Sequence, residues 1–183
     1  GLIEGASEGA GLGIRFLKHL TRTRLLLHLV DVLPPDESDP AENVRAIERE
    51  LARFSPTLAE RERWLVLNKT DLLPEDEREA SCDAIVSELD WDGPVFRVSA
   101  LAADGTEALC YAIMEHIEAQ RVREQGDPAA AAAEREIQSR MQAESRERIA
   151  ALAEERRRAR SGEAAADDGD FDDDEDGGVE VIY

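Results

Sequence analysis

Aromatic residues are scarce in this 183-residue sequence, and basic residues are outnumbered by acidic ones. Phe, Trp and Tyr make up only 4% of the chain, with no array of aromatic and basic residues on which nucleic-acid bases could stack. The 42 Asp and Glu residues exceed the 22 Lys and Arg residues, which gives a formal net charge of −20. An acidic surface repels phosphate backbones, so the composition argues against non-specific binding of nucleic acid over the whole surface.

Long apolar runs and metal-binding cysteine pairs are also missing. The longest apolar run, residues 25–32, is interrupted by His28 and Asp31 and is too short to span a bilayer. The start carries neither the basic nor the apolar region of a signal peptide, and its first residue is Gly rather than Met. Cys82 and Cys110 stand alone in predicted helices, which favours reduced core thiols over a disulfide or a metal site. We expect a soluble, cytoplasmic monomer that has lost its natural N-terminus and binds no membrane.

Apolar segments of strand length alternate with helical patterns along the first two thirds of the chain. The predicted strands are residues 25–32, 64–67 and 94–98, and the predicted helices are residues 14–20, 40–54, 74–89 and 106–118. Strands alternating with helices form a parallel sheet when the crossovers are right-handed, with helices on both faces. His28 lies inside the first strand, where we interpret it as a core histidine rather than a ligand or a catalytic base.

The second predicted strand delivers four polar residues to its carboxyl end, where open α/β sheets place their ligands. They are Asn68, Lys69, Thr70 and Asp71. The Asp71 carboxylate can accept two hydrogen bonds, from N1–H and the 2-amino group of guanine, and adenine lacks both donors. Lys69 can lay its alkyl stem along the base, and the amide of Asn68 can tie neighbouring loops together. An ordinary polar loop remains the alternative interpretation of these four residues alone.

A second loop is predicted to meet the first at the same edge of the sheet. Ser99, Ala100 and Leu101 follow the third predicted strand, about thirty residues after residues 68–71. A backbone N–H in this loop can donate to O6 of a guanine base. The pair of loops is more specific than either loop by itself.

The first thirteen residues contain five glycines and three alanines or serines between sparse apolar residues, ahead of an amphipathic helix. Glycine at this density predicts a mobile segment unless a ligand or partner orders it. The segment is either a flexible linker or a loop that orders and disorders as a nucleotide switch does. The backbone N–H of Gly1 could approach a phosphate oxygen, but the segment contains no Gly-x-x-x-x-Gly-Lys-Ser/Thr motif.

This combination resembles the P-loop GTPases, and within them the Obg family of ribosome-associated GTPases, from Gly1 to roughly residue 117. Residues 1–17 resemble the switch II segment, which would make Gly1 the last residue of the Asp-x-Pro-Gly motif at the γ-phosphate. Residues 68–71 match the guanine-specificity motif, and residues 99–101 match the base-contacting motif that follows it. The resemblance implies binding of GTP and GDP with Mg²⁺, slow GTP hydrolysis and a role in assembling the large ribosomal subunit, with ribosomal RNA and proteins as partners. The nucleotide-binding residues it implies are Gly1, Asn68, Lys69, Thr70, Asp71, Ser99, Ala100 and Leu101.

Several family features are absent from this sequence. They are the phosphate-binding motif, the magnesium-binding Ser or Thr residues and the Asp of switch II, so the Mg²⁺ ligands are expected upstream of this chain. Leu2 stands where many small GTPases carry a water-orienting Gln. No catalytic residue is therefore assigned. We expect the intact parent protein to be a GTPase and this chain alone to be inactive.

The predicted fold class is α/β, a partial P-loop GTPase domain with three parallel strands flanked by helices, followed by a charged helix and a disordered acidic tail. The predicted divisions are residues 1–122 for the GTPase part, 123–160 for a helical extension rich in Ala, Arg and Glu, and 161–183 for the tail. Apolar residues are sparse in the extension, so we expect a solvent-exposed or partner-dependent helix. The tail carries ten acidic and no basic residues. The alternative function is a non-enzymatic adaptor that binds the ribosome or a protein through the extension and the tail.

Overall fold

The computed structural model describes Gly5 and residues 13–167, the last six as backbone only. The predictions for Gly1, for the rest of the glycine-rich start and for most of the acidic tail fall outside these residues. The described helices and strands are, in chain order, α1 (Gly13–Leu20), β1 (Leu26–Asp31), α2 (Pro40–Phe54), α3 (Pro56–Ala59), β2 (Arg63–Asn68), α4 (Arg78–Glu88), β3 (Val95–Arg97), α5 (Thr106–Gly126) and α6 (Pro128–Asp167).

The three strands form one parallel sheet in the order β1, β2, β3. Leu26 pairs with Arg63 at the start of β1 and Asp31 with Asn68 at its end, so the first two strands finish level with each other. The central strand is the most apolar, and its residues 64–67 are all buried. The structure therefore confirms the predicted α/β class, with three parallel strands in one sheet and helices flanking it.

Local sequence signals explain where α2 begins. Asp39 has extended backbone, and its side-chain oxygen accepts hydrogen bonds from the backbone N–H groups of Ala41 (2.7 Å) and Glu42 (3.1 Å). Pro40 occupies the first helical position, where a missing N–H costs nothing because that group has no partner inside the helix. The predicted start of this helix is confirmed.

Two apolar clusters hold the helices to the sheet. The first contains Leu17, Leu26, Leu51, Phe54, Leu58 and Met141, and the second contains Val30, Val32, Val44, Leu65, Leu67 and Cys82. Both cysteines are free, but Cys110 is exposed, so the prediction of a core thiol is correct for Cys82 and wrong for Cys110. Burial raises the pKa of the Cys82 thiol, which keeps it protonated and unreactive.

The carboxyl-terminal helices differ from the prediction in length and in packing. Helix α5 continues to Gly126, and α6 begins immediately afterwards, with Asp127 accepting a hydrogen bond from the Ala129 N–H at 2.9 Å. The expectation of a solvent-exposed helix is wrong for one face of α6, because Met141, Ser145 and Leu152 are buried. Their spacing of four and seven residues puts them on one side of the helix, which is enough to dock it on the body.

No helix among the described residues is long and apolar enough to cross a membrane.

Candidate ligand site at the carboxyl edge of the sheet

The loops after β2 and β3 are joined directly at the carboxyl edge of the sheet. The side-chain oxygen of Asn68 accepts a hydrogen bond from the backbone N–H of Ala100 at 3.0 Å. Asn68 is the last residue of β2, and Ala100 lies three residues beyond β3. The tie between loops that the sequence predicts for Asn68 is therefore present, and it brings the two candidate loops side by side.

Lys69 turns the chain sharply and pairs with a residue that the sequence analysis missed as a site residue. Its backbone is left-handed, with φ of 66° and ψ of 31°, a conformation that non-glycine residues rarely adopt. Its ammonium group forms an ion pair with the carboxylate of Asp31 at the end of β1. The available signal was the position of Asp31, an acidic residue at the end of a predicted strand that must reach the same edge. The side chain of Lys69 is 46% exposed, so its stem is accessible to a ligand.

Thr70 is buried and stabilises the loop instead of facing a ligand. Its backbone N–H and its hydroxyl both donate to the carbonyl oxygen of Val98, at 3.2 and 3.1 Å. The residue is only 2% exposed. Thr70 was predicted to bind the nucleotide, but its hydrogen bonds hold the turn after β2 against the residues that follow β3.

The next residue, Asp71, is exposed to solvent beside the anchored Thr70. It lies in the single helical turn Thr70–Leu72 and is exposed. Its carboxylate makes no hydrogen bond or ion pair with any residue in the described part of the chain. Both carboxylate oxygens are therefore free to accept hydrogen bonds from a ligand.

The loop after β3 is closed on itself and pushes two residues outward. Ser99 and Asp104 exchange backbone hydrogen bonds of 3.0 and 3.1 Å, and the Ser99 hydroxyl accepts from the Ala102 N–H at 3.0 Å. Ser99 is 1% exposed, whereas Leu101 is 92% exposed and Ala100 is also on the surface. The structure therefore divides the predicted trio into one buried loop anchor and two surface residues.

A glycine completes this loop. Gly105 has φ of +68°, and a Cβ built on it would lie 2.3 Å from the carbonyl oxygen of Arg97. The loop returns so close to the end of β3 that no side chain fits at this position. Gly105 was not singled out by the sequence analysis, although a glycine immediately before a helix is a recognisable signal for a left-handed residue.

The predicted site residues in the described chain therefore gather at one edge, and three of them, Asn68, Thr70 and Ser99, serve as supports. The exposed groups are the Asp71 carboxylate, the Lys69 stem and the backbone at Leu101, because the Ala100 N–H already donates to Asn68. They offer a paired acceptor, an apolar surface and a backbone donor, which suits a flat heterocycle with adjacent N–H groups. No group of three His, Cys, Asp or Glu residues in the described ranges is arranged to hold a metal ion.

His28, which the sequence predicts to be a core histidine, is half-buried and lies away from the candidate site. It lies in the middle of β1, and burial together with the positive charge of Arg63 lowers its pKa from 6.5 to about 4. The imidazole is therefore uncharged at neutral pH.

No protein-family model matches this sequence.

Proposed function

We propose that this chain forms the guanine-recognition part of a GTP-binding and slowly GTP-hydrolysing switch protein of the Obg type. The observation that carries the proposal is the Asn68–Ala100 hydrogen bond, which holds a free carboxylate and a surface backbone loop together. The Asp71 carboxylate would accept from N1–H and the 2-amino group of guanine. The loop would donate to O6 through a backbone N–H other than that of Ala100, which already donates to Asn68. Adenine offers an acceptor at N1 and an amino group at position 6, so it would mismatch both contacts.

The ribosomal part of the proposal comes from the resemblance of residues 1–17, 68–71 and 99–101 to the Obg family. On that basis the intact protein is a cytoplasmic GTPase that acts in large ribosomal subunit assembly, and Mg²⁺ would be held by residues upstream of this chain. When bound, the cation would balance the charge of the phosphate groups. The residues described here would orient the base.

The open edge of the sheet supports a larger domain. Strand β1 has one neighbour among the described residues, and its Leu27 and Leu29 are 37% and 61% exposed. A cavity of about 380 Å³ lies beside the start of β1, lined by Leu27 together with Ile113 and Ile117 of α5. An exposed strand edge flanked by apolar side chains is a surface for further strands. We propose that the phosphate-binding half of the GTPase domain packs there.

The test is base selectivity in the intact protein that contains this chain. A fluorescent GDP titration with ADP as competitor is compared between the wild type and Asp71→Asn. An amide offers one acceptor and one donor, which matches N1–H and O2 of xanthine instead of guanine. We expect GDP affinity to fall about 100-fold, since two charge-assisted hydrogen bonds contribute about 3 kcal/mol, and xanthosine diphosphate to bind better than GDP.

Asp76→Asn is the matched control, because Asp76 is an exposed carboxylate a few residues further along the same segment. It should leave the GDP affinity unchanged. Equal GDP affinities for the Asp71→Asn variant and the wild type, or ADP binding as tight as GDP binding, would refute guanine recognition by this loop.

A second candidate function is that of an adaptor, and the outer end of α6 favours it. Every residue from 153 to 161 is exposed, so this end of the helix extends beyond its contacts with the body. Capture of ribosomes by residues 1–125 and by residues 126–183 would separate the two functions. Binding that resides wholly in 126–183 and is indifferent to GTP would favour the adaptor.

A further inference from the structure

The end of β1 reaches the candidate site through one carboxylate. Asp31 is the last residue of β1 and lies opposite Asn68 in the register of the two strands. Its Oδ1 accepts a hydrogen bond from the backbone N–H of Leu33 at 3.0 Å, and its Oδ2 forms the ion pair with Lys69. The carboxylate therefore joins the loop after β1 to the loop after β2.

The backbone on either side of Lys69 is fixed by other contacts. The carbonyl oxygen of Asn68 accepts a hydrogen bond from the Val32 N–H at 3.1 Å. On the other side, the N–H and the hydroxyl of Thr70 both donate to the carbonyl oxygen of Val98. Lys69 is therefore the residue at which the chain must turn between two anchored neighbours.

The turn uses a backbone conformation that lysine disfavours. The φ of 66° lies in the left-handed region, and a residue with a side chain keeps such a conformation only where the surrounding structure holds it. Among the described residues, the side chain of Lys69 makes one polar contact, which is the ion pair with Asp31. Asp31 is thus the group that fixes the side chain of the turning residue.

The turn at Lys69 sets the direction of the exposed carboxylate that follows it. The carbonyl oxygen of Lys69 accepts a hydrogen bond from the Leu72 N–H at 3.0 Å, which closes the helical turn that contains Asp71. A change in the backbone of Lys69 therefore moves the Asp71 carboxylate relative to the loop after β3. Two hydrogen bonds to one edge of a base require both carboxylate oxygens in place, so a rotation of Asp71 would weaken at least one of them.

We propose that Asp31 is a positioning residue for base recognition, which holds the left-handed turn at Lys69 and thereby directs the Asp71 carboxylate at the base. This role rests on the proposed function and brings a third loop, the one after β1, into the site. A surface ion pair contributes little to the stability of a fold, and the side chain of Lys69 is 46% exposed. We therefore expect the effect of Asp31 in the choice of base rather than in stability.

The test compares GDP with inosine diphosphate in the intact protein that contains this chain. Hypoxanthine keeps N1–H and O6 of guanine but lacks the 2-amino group, so the ratio of the two affinities measures the second hydrogen bond to Asp71. The wild type should bind GDP about tenfold more tightly, because a hydrogen bond to a charged group is lost with the amino group. A substitution that only loosened the fold would weaken both nucleotides alike and leave this ratio unchanged.

Asp31→Asn keeps an oxygen for the Leu33 N–H but loses the charge that holds Lys69. We expect the ratio to fall to about twofold, and a ratio that remains above about fivefold would overturn the positioning role. Asp36→Asn is the matched control, because Asp36 is an exposed carboxylate in the same loop and is bonded to Ser38 instead of Lys69. It should leave the ratio at the wild-type value.

Lys69→Met removes the same ion pair from the other side and keeps an unbranched apolar stem. It should lower the ratio as Asp31→Asn does, and it decides the question if Asp31→Asn does not fold. Combining the two substitutions should lower the ratio no further than either one alone, since both remove a single interaction. Independent effects that multiply in the double variant would overturn the role of Asp31.

Failure of the proposed function gives a different result. A wild-type protein that binds no GDP, or that binds GDP and inosine diphosphate equally, overturns recognition of the guanine edge by Asp71 and the positioning role together. A wild type that prefers GDP, with the same preference in Asp31→Asn and Lys69→Met, overturns only the role of Asp31.

Discussion

Gly105→Ala is expected to destabilise the protein strongly, although it adds a single methyl group. Gly105 closes the loop after β3 and precedes α5, with φ of +68°. The added Cβ would stand 2.3 Å from the carbonyl oxygen of Arg97, far inside van der Waals contact. That oxygen belongs to the backbone at the end of β3, so it cannot swing away as a flexible side chain would.

Two costs combine in this substitution. A left-handed backbone costs a non-glycine residue about 1 to 2 kcal/mol. Forcing a methyl group into a filled site costs about 1 to 3 kcal/mol more through displacement of the backbone. We therefore expect a loss of about 3 kcal/mol in the free energy of unfolding.

Gly126→Ala is the matched control. Gly126 is the last residue of α5, and a Cβ built there would meet no atom within 4 Å. Its φ is not positive, so alanine should stabilise the helix by about 0.5 to 1 kcal/mol. The two substitutions are chemically identical and should change stability in opposite directions.

The assay is urea unfolding followed by circular dichroism. With a slope of about 2 kcal/mol per molar urea, the midpoint of Gly105→Ala should fall by about 1.5 M, while that of Gly126→Ala should rise slightly. If the two variants unfold at the same urea concentration, the close return of the loop to β3 is not a feature of the folded protein.

Three further predictions concern the sheet, the docked face of α6 and the Asn68–Ala100 hydrogen bond. The pKa of His28 is lowered from 6.5 to about 4 in the folded protein. Between these pH values the unfolded chain binds more protons than the folded protein. The contribution of His28 to the free energy of unfolding is therefore complete above pH 6.5 and is lost as the pH falls towards 4. The free energy of unfolding is measured by urea titration at pH 7 and at pH 4. His28→Gln should reduce the difference between the two values by about 3 kcal/mol, whereas His19→Gln, at an exposed position, should leave the difference unchanged. Met141→Ala should lower the free energy of unfolding, measured by thermal unfolding, by about 2 to 5 kcal/mol. Ile137→Ala, at a position 38% exposed, should lower it by under about 1.5 kcal/mol. Equal losses would refute docking of α6 by the face that contains Met141. Asn68→Ala should lower GDP affinity about tenfold in the intact protein by releasing the two loops, and unchanged affinity would show that the tie does not position the site.

The elements that could be predicted from sequence are those whose signals are local. The unbroken apolar run of residues 64–67 predicts a strand buried on both faces, because parallel strands are covered on both sides. Asp39 and Pro40 predict the start of α2, because capping needs only the residues next to the helix end. The cap of α2 lies within a few positions of the helix start, and the strand is recognised from its own apolar run although its pairing partners are distant in sequence.

The docking of α6 could not be predicted, since its contacts cross most of the chain. Glu144 is one of many acidic residues in a charged helix, and nothing near it indicates that Ser55 and Thr57 are its partners. The buried face also includes Ser145, a polar residue that weakens the apolar period. A helix with so few apolar residues is distinguished from a solvated helix only by the shape of the surface that receives it.

The location of the candidate site could be predicted from the sequence, but the conformations and contacts of its residues could not. Residues that follow two neighbouring parallel strands must meet at one edge, which brings Asn68 and Ala100 together. The ion pair of Lys69 with Asp31 depends on a left-handed backbone that a lysine does not signal. The burial of Thr70 depends on the path of the chain after β3, which no motif specifies.

The ties at this edge imply that base choice in the proposed switch depends on how the ends of the three strands are joined. The Asp31–Lys69, Asn68–Ala100 and Thr70–Val98 contacts all join the ends of neighbouring strands, so the base-recognition loops are held in place by the sheet itself. Helix α1 is packed elsewhere, because its Leu17 lies in the apolar cluster that contains Met141. Variants that break one of these contacts should therefore change which base is bound, because the loops would no longer be held at the positions that the paired strand ends give them.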